Sequence, residues 1–223
     1  MSDTYNPPAG SLPAKQARSE QTTQNIVAAL ERLLGQKTFE QVTMAELAAE
    51  AGLSAGAIYR RFKNKEALLP HIFERYRLEL GAWMERVTSE FLATSGSLEH
   101  AVQSLIEETL DCFQSNAPIF RTVHIHGRLN PELNAMKPNS MMDYGFEPVA
   151  GLLERFREEV KQPLQTAKRY LSYVVVAMVM ERALYPNQNP SAGLDLSEEQ
   201  FVEVTSAMVY SWLTRPIAMS PNT

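Results

Sequence analysis

Thr43-Met-Ala-Glu-Leu-Ala-Ala-Glu-Ala-Gly-Leu-Ser-Ala-Gly-Ala-Ile-Tyr-Arg-Arg-Phe62, followed by Lys63-Asn-Lys-Glu-Ala-Leu68, reads as two short helices joined by a Gly-Leu-Ser turn. Thr43 is a good N-cap and Glu46 stands three residues on, the pattern of a capping box. The first helix therefore runs from Met44 to Glu50. Gly52 ends it, as a residue suited to a left-handed C-terminal position. Ser54 caps the second helix, which the pattern carries to about Phe62. Lys63-Asn64 is a turn, and Asn64 caps a long helix beginning at Lys65. Leu47, Ala48, Ala51 and Leu53 are small or apolar and let the two helices cross closely. Ile58 and Phe62, four apart, face inward. That leaves Ala55, Gly56, Ala57, Tyr59 and Arg60 on the outer face of the second helix. Small residues there let a backbone approach base edges, and the second helix of such a pair enters a DNA major groove.

Upstream, residues 1–17 are rich in proline and poor in large apolar groups, the composition of a flexible arm. From Glu20 the pattern is helical, with Ile26, Val27, Leu30, Leu33 and Leu34 on one face. Downstream, helices are expected over 65–92 (bent at Pro70), 97–115, 118–129, 139–160 with an interruption near Gly145 and Pro148, 163–185, and 197–215. The last opens with a Ser-Glu-Glu-Gln capping box. No useful stretch alternates with strand period. The expected architecture is all-α: a flexible arm (1–17), a three-helix DNA-binding domain (18–78) and a larger helical domain (79–223).

Charge supports this division. The chain carries net −5, which alone disfavours nucleic acid. From Ala14 to Pro70, however, eight Lys/Arg face six Asp/Glu, while from His71 onward thirteen face nineteen. Between Ser54 and Lys65 lie four positive charges and no negative one. Local charge governs phosphate binding more than the total does. The single cysteine, Cys112, excludes an intrachain disulfide and a cysteine-based zinc site. The longest uncharged apolar run, Tyr170 to Met180, is too short to span a bilayer. No secretory signal is evident, so a cytoplasmic protein is expected.

The segment from Glu20 to Leu69 resembles the TetR family of transcriptional regulators, above all in its Ala-Ile-Tyr-Arg-Arg-Phe-Lys-Asn-Lys-Glu-Ala-Leu stretch. The resemblance implies a homodimer that binds a palindromic double-stranded DNA operator and leaves it when a small molecule enters the C-terminal domain. It places Thr43, Tyr59 and Lys65 at phosphate contacts and Ala55, Gly56, Ala57, Arg60 and Arg61 at base or near-base positions, and the capping Ser54 is expected among the DNA-binding residues. Many family members carry lysine or a polar residue where Ala55 stands. Here a methyl group can meet a thymine methyl instead.

In the rear domain, methionines and aromatics suit an adaptable apolar ligand pocket. The candidates are Trp83, Phe113, Phe120, Met141 and Met178, with Arg121, His124, Tyr144 and Tyr173 to orient a ligand. The segments 163–185 and 197–215 are apolar on more than one side and so need covering on both. The expected partner is a second copy of the chain, across Tyr170, Tyr173, Ala177, Leu184, Phe201, Met208 and Trp212. His124 and His126, two apart on a helix, point to different faces and chelate a metal poorly. No phosphate loop, nucleophile elbow or acid-base pair is present, so neither enzyme activity nor a cofactor is expected. The alternatives are an architectural DNA-binding protein of the same fold without an inducer, and a sensor or enzyme that merely retains the reader.

Overall fold

The computed structural model describes residues 14–92, 95–135, 149–188 and 190–216. Among them there are helices and turns and no strand. Contacts divide the chain into two units, Met1–Ile72 and Phe73–Thr223. The sequence reading placed the boundary after residue 78.

In the first unit, α1 (Ala14–Leu34) begins earlier than the sequence pattern suggested. It buries Ile26, Val27, Ala29, Leu30, Leu33 and Leu34. A 3-10 turn at Phe39–Gln41 leads into α2 (Met44–Glu50), whose N-terminus carries the expected Thr43–Glu46 capping box. At its C-terminus Gly52 sits at φ +66°. Its N–H reaches the Ala49 carbonyl (3.1 Å), and the Leu53 N–H reaches that of Ala48 (2.9 Å). This Schellman geometry satisfies the last carbonyls and turns the chain sharply. The Asn25 side-chain amide donates to the Ala51 carbonyl (2.9 Å), and Arg32 pairs with Glu50, so the C-terminal end of α2 is tied to α1.

Helix α3 (Ala55–Tyr59) is shorter than expected. After it the Arg61 N–H bonds the Ile58 carbonyl three residues back, a tightened final turn. Ile58 and Phe62 are buried, and the Phe62 ring meets His71 edge-on at 5.6 Å. The expected long helix from Lys65 is three pieces: a 3-10 turn (Lys65–Leu68) capped by Asn64, α4 (Leu69–Arg86), and a π-turn (Val87–Leu92). The break falls where Pro70 lacks an N–H, which is harmless only in a helix's first turn.

The second unit is built around α5 (Leu98–Ser115), capped by Ser97 and buried along Leu98, Ala101, Val102, Leu105, Ile106, Leu110 and Phe113. α6 (Ala117–Leu129) and a short α7 (Pro131–Ala135) come next, then a helix over 149–155, α8. α9 (Leu164–Val174) passes through a π-turn (Val175–Val179) into α10 (Met180–Leu184). A 3-10 turn (Ser191–Leu194) leads to α11 (Glu198–Thr214), with Ser197 and Gln200 forming the expected capping box. α10 and α11 pack along α5. Buried Gln162 donates to the carbonyls of Trp212 (2.8 Å) and Arg215 (2.5 Å). It closes the end of α11, where helical carbonyls lack internal partners.

Candidate nucleic-acid interface

The N-terminus of α2 is an interlocked polar cluster. The Thr43 hydroxyl donates to Glu46 Oε2 (2.9 Å) and accepts from the Glu46 N–H (3.2 Å). The Thr43 N–H donates to the same carboxylate (3.0 Å), and Lys37 Nζ donates to its other oxygen (2.7 Å). The Lys37 ammonium, followed by the Thr43 backbone and hydroxyl donors, holds the Glu46 carboxyl at a pKa of about 2. The carboxylate therefore stays ionised and fixes the Thr43 side chain.

Helix α3 presents its outer side to solvent. Ser54 Oγ accepts from the Ala57 N–H (3.2 Å). Ala55, Gly56 and Arg60 are exposed, Ala57 is half-buried, and Tyr59 is 55% exposed. The Arg60 guanidinium lies 4.0 Å from where a Cβ on Gly56 would stand, so the arginine reaches back across the small-residue end of the helix.

The four cations between Ser54 and Lys65 separate into two kinds. Arg60 and the exposed Lys63 pair with no acidic side chain among the described residues. Arg61 instead donates to the Ser19 carbonyl (3.0 Å) and hydroxyl (2.8 Å) on α1. Lys65 Nζ donates to the carbonyls of Phe39 (2.9 Å), Glu40 (2.6 Å) and Val42 (3.2 Å). The sequence singled out neither the exposed Lys63 nor Lys37, the partner of Glu46. Lys63 was visible within the charge island, whereas Lys37 is brought to Glu46 only by the fold.

In the second unit the expected ligand residues do not come together in one place. Phe113 and Phe120 are buried and meet edge-on (5.2 Å), and Phe120 also meets Tyr76 (4.5 Å). Trp83 is buried, with its indole N–H on the Glu108 carbonyl (3.0 Å). Arg121 Nε donates to the Leu184 carbonyl (3.1 Å), and His124 Nδ1 lies 2.9 Å from the Tyr185 hydroxyl. His124 Nε2 is buried without a hydrogen-bond partner among the described residues. Burial, and secondarily Arg128, lowers the His124 pKa. Tyr173 and Met178 are not with these groups but on an exposed face. Met141 and Tyr144 lie outside the described residues. Tyr76 and Tyr185, which the sequence did not single out, are brought against Phe120 and His124 by the fold. Among the described residues no group of three His, Cys, Asp or Glu is placed to hold a metal ion, and no helix is long and apolar enough to cross a membrane.

The expected dimer residues also divide. Tyr170 and Met208 are exposed, Tyr173 is 67% exposed, Ala177 is exposed, and the half-buried Trp212 meets the Tyr170 ring at a tilt, with centroids 4.5 Å apart. Val204, 56% exposed, is a further exposed apolar residue of α11 that the sequence did not single out. Leu184 and Phe201, by contrast, are 1% and 3% exposed within a single chain. Arg182 lies over the Phe201 ring (5.8 Å) and donates to the carbonyls of Ser191 (3.2 Å) and Leu196 (2.6 Å). The loop it holds covers the phenylalanine.

Two short helices, α2 packed on α1 and α3 on α2, the second with its outer face open, define a helix-turn-helix protein. Residues 26–72 match the family of bacterial regulatory proteins, tetR family. An HTH-type transcriptional regulator of Haemophilus influenzae is 29% identical over 119 residues, 53% of this chain and 54% of that protein. The HTH-type regulator YerO of Bacillus subtilis is 49% identical over 45 residues, 20% of this chain and 16% of YerO. The matches thus span about half of the first relative and far less of the second.

Among solved structures, a tetR-family regulatory protein from Rhodococcus RHA1 superimposes with a TM-score of 0.62 at 14% identity, over 86% of this chain and 97% of that one. FadR of Bacillus subtilis, solved with stearoyl-CoA, gives 0.58 at 18% identity, over 87% and 98%. NalD of Pseudomonas aeruginosa, secondary repressor of the MexAB-OprM multidrug efflux pump, gives 0.56 at 19% identity, over 89% and 98%. At these identities the likeness is one of fold. The match to the tetR family thus covers the helix-turn-helix segment, residues 26–72, and the chain as a whole shares the fold of the solved tetR-family regulators.

Proposed function

We propose that this chain is a cytoplasmic, homodimeric transcriptional repressor that reads a palindromic operator with α3 and is released by a small molecule bound in its second unit. The observation that carries the DNA reading is the open outer face of α3. Ala55, Gly56, Tyr59 and Arg60 are exposed there, with Ile58 buried behind them. Tyr59 and Lys63 serve phosphate, as does Thr43 if its hydroxyl leaves Glu46. Arg60 serves a base edge, with Ser54, Ala55, Gly56 and Ala57 lining the approach. Paired readers about 34–36 Å apart would meet successive major grooves.

The ligand reading is supported by the buried, unpartnered His124 Nε2 beside Tyr185 and Arg121, since such an atom is costly to leave unsatisfied. FadR, of the same fold, was solved with an acyl-CoA. The dimer reading is supported by the exposed apolar rows of α9 and α11.

Selection from a randomised duplex library, followed by footprinting, tests the DNA reading. Enrichment of an inverted repeat is expected, and failure to enrich any sequence would sink it. A ligand hit titrated with and without the selected duplex tests release. The two must weaken one another by the same factor, because coupling is reciprocal. Equal ligand affinity in both titrations would leave a DNA-binding protein without an inducer, the architectural alternative.

A further inference from the structure

Lys65 stands where the family resemblance places a phosphate contact, yet its ammonium is already spoken for. An ammonium has three N–H donors and no acceptor. Here three backbone carbonyls surround it: Phe39 at 2.9 Å, Glu40 at 2.6 Å and Val42 at 3.2 Å. It also lies 5.3 Å from the centroid of the Phe39 ring. Phe39 and Val42 are themselves buried, so the carbonyls are held on a rigid turn. The residue after that turn is Thr43, the N-cap of α2. Lys65 opens the 3-10 turn beyond α3. One side chain thus joins the entrance of the first reader helix to the segment leaving the second.

We propose that Lys65 is a positioning residue of the DNA reader: its ammonium holds the Phe39–Val42 turn, and with it Thr43, in register with α3, and it donates to no phosphate. Reaching a phosphate would mean abandoning three charge-assisted hydrogen bonds that otherwise satisfy the turn. The arrangement also demands lysine. Three oxygens converging on one point suit a compact ammonium with rotatable donors, whereas a guanidinium is a planar fork. At a phosphate the order is reversed, because arginine binds phosphate at least as well.

The inference rests on the DNA-binding reading, and the experiment separates the two. The full chain, its Lys65→Arg and Lys65→Met variants, and Lys63→Ala would be compared on a duplex selected by the wild type and on an unrelated duplex, between 50 and 200 mM salt. Circular dichroism would confirm that each variant is folded at the assay temperature. Lys65→Arg and Lys65→Met should both lose about tenfold in preference for the selected duplex, as when one good base contact is misplaced. Their salt slopes should stay at the wild-type value. Lys63→Ala should lower the slope by about 0.9, the signature of one lost phosphate contact.

Lys65→Arg binding like wild type, or Lys65→Met lowering the slope while keeping the preference, would overturn the proposal. Should the wild type enrich no duplex, the DNA-binding reading fails, and amide exchange judges the strut separately. Amides of Gln41 to Glu46 should exchange faster in Lys65→Arg than in wild type, and equal rates would overturn it.

Discussion

Val204→Asp offers a direct test of the proposed assembly. Val204 is 56% exposed in the single chain, so an aspartate there is solvated in a monomer and leaves folding within about 0.5 kcal/mol. In a twofold interface formed by Tyr170, Tyr173, Ala177, Val204 and Met208 the same carboxylate is desolvated, and symmetry buries it twice. An unpaired buried charge costs about 3–5 kcal/mol. That corresponds to roughly two to three and a half powers of ten in the dimer dissociation constant for each copy. Sedimentation velocity across a dilution series reads this directly. The wild type should sediment at twice the chain mass of 25.1 kDa, and Val204→Asp should fall to the chain mass. Leu129→Asp, at another exposed apolar position (70%), should change nothing. A variant that dimerises as tightly as wild type, or a wild type monomeric at every concentration, would refute the argument.

Three further outcomes are expected. Arg60→Ala should cost about 1–3 kcal/mol on the selected duplex and relax preference at one base pair per half-site, and equal losses on selected and random duplex would remove the base contact. Phe120→Ala removes a ring packed edge-on against Tyr76 and Phe113 and should destabilise by about 3–5 kcal/mol in urea unfolding; a loss below about 1 kcal/mol would mean the cluster is loosely packed. Because the Glu46 carboxyl is lowered from 4.5 to about 2 in the folded chain, its contribution to stability is present above about pH 4.5 and is lost as pH falls toward 2. Glu46→Gln should flatten that part of the acid dependence of the urea midpoint, and parallel curves for the two proteins would contradict the Lys37–Glu46–Thr43 cluster.

Several features were legible in the sequence because they are local. A capping box needs only residues three apart, and those at Thr43 and Ser197 stand as the sequence implied. Gly52 takes its left-handed turn without the steric cost that a Cβ would bring. The buried side of α5 agrees with its 3.6-residue period.

The features left open by the sequence were decided by contacts between distant residues. Periodicity shows that a helix has two apolar sides, but not which one its own chain will cover. Tyr170, Tyr173, Ala177 and Leu184 share a face on an ideal helix. The π-turn at Val175–Val179 widens one turn and rotates α10 relative to α9 by about 100°, carrying Leu184 into the core and leaving the other three outside. Phe201 is buried because Arg182 draws the loop before α11 across it. The sequence assigned Arg60 and Arg61 to base or near-base positions and Lys65 to phosphate, with no sign of which cations the chain's own carbonyls would engage. The carbonyls of Ser19, Phe39, Glu40 and Val42, more than twenty residues away along the chain, engage Arg61 and Lys65 and leave Arg60 and Lys63 without such partners. A sequence shows the charge of a side chain, whereas only the folded backbone shows which oxygens it will reach first.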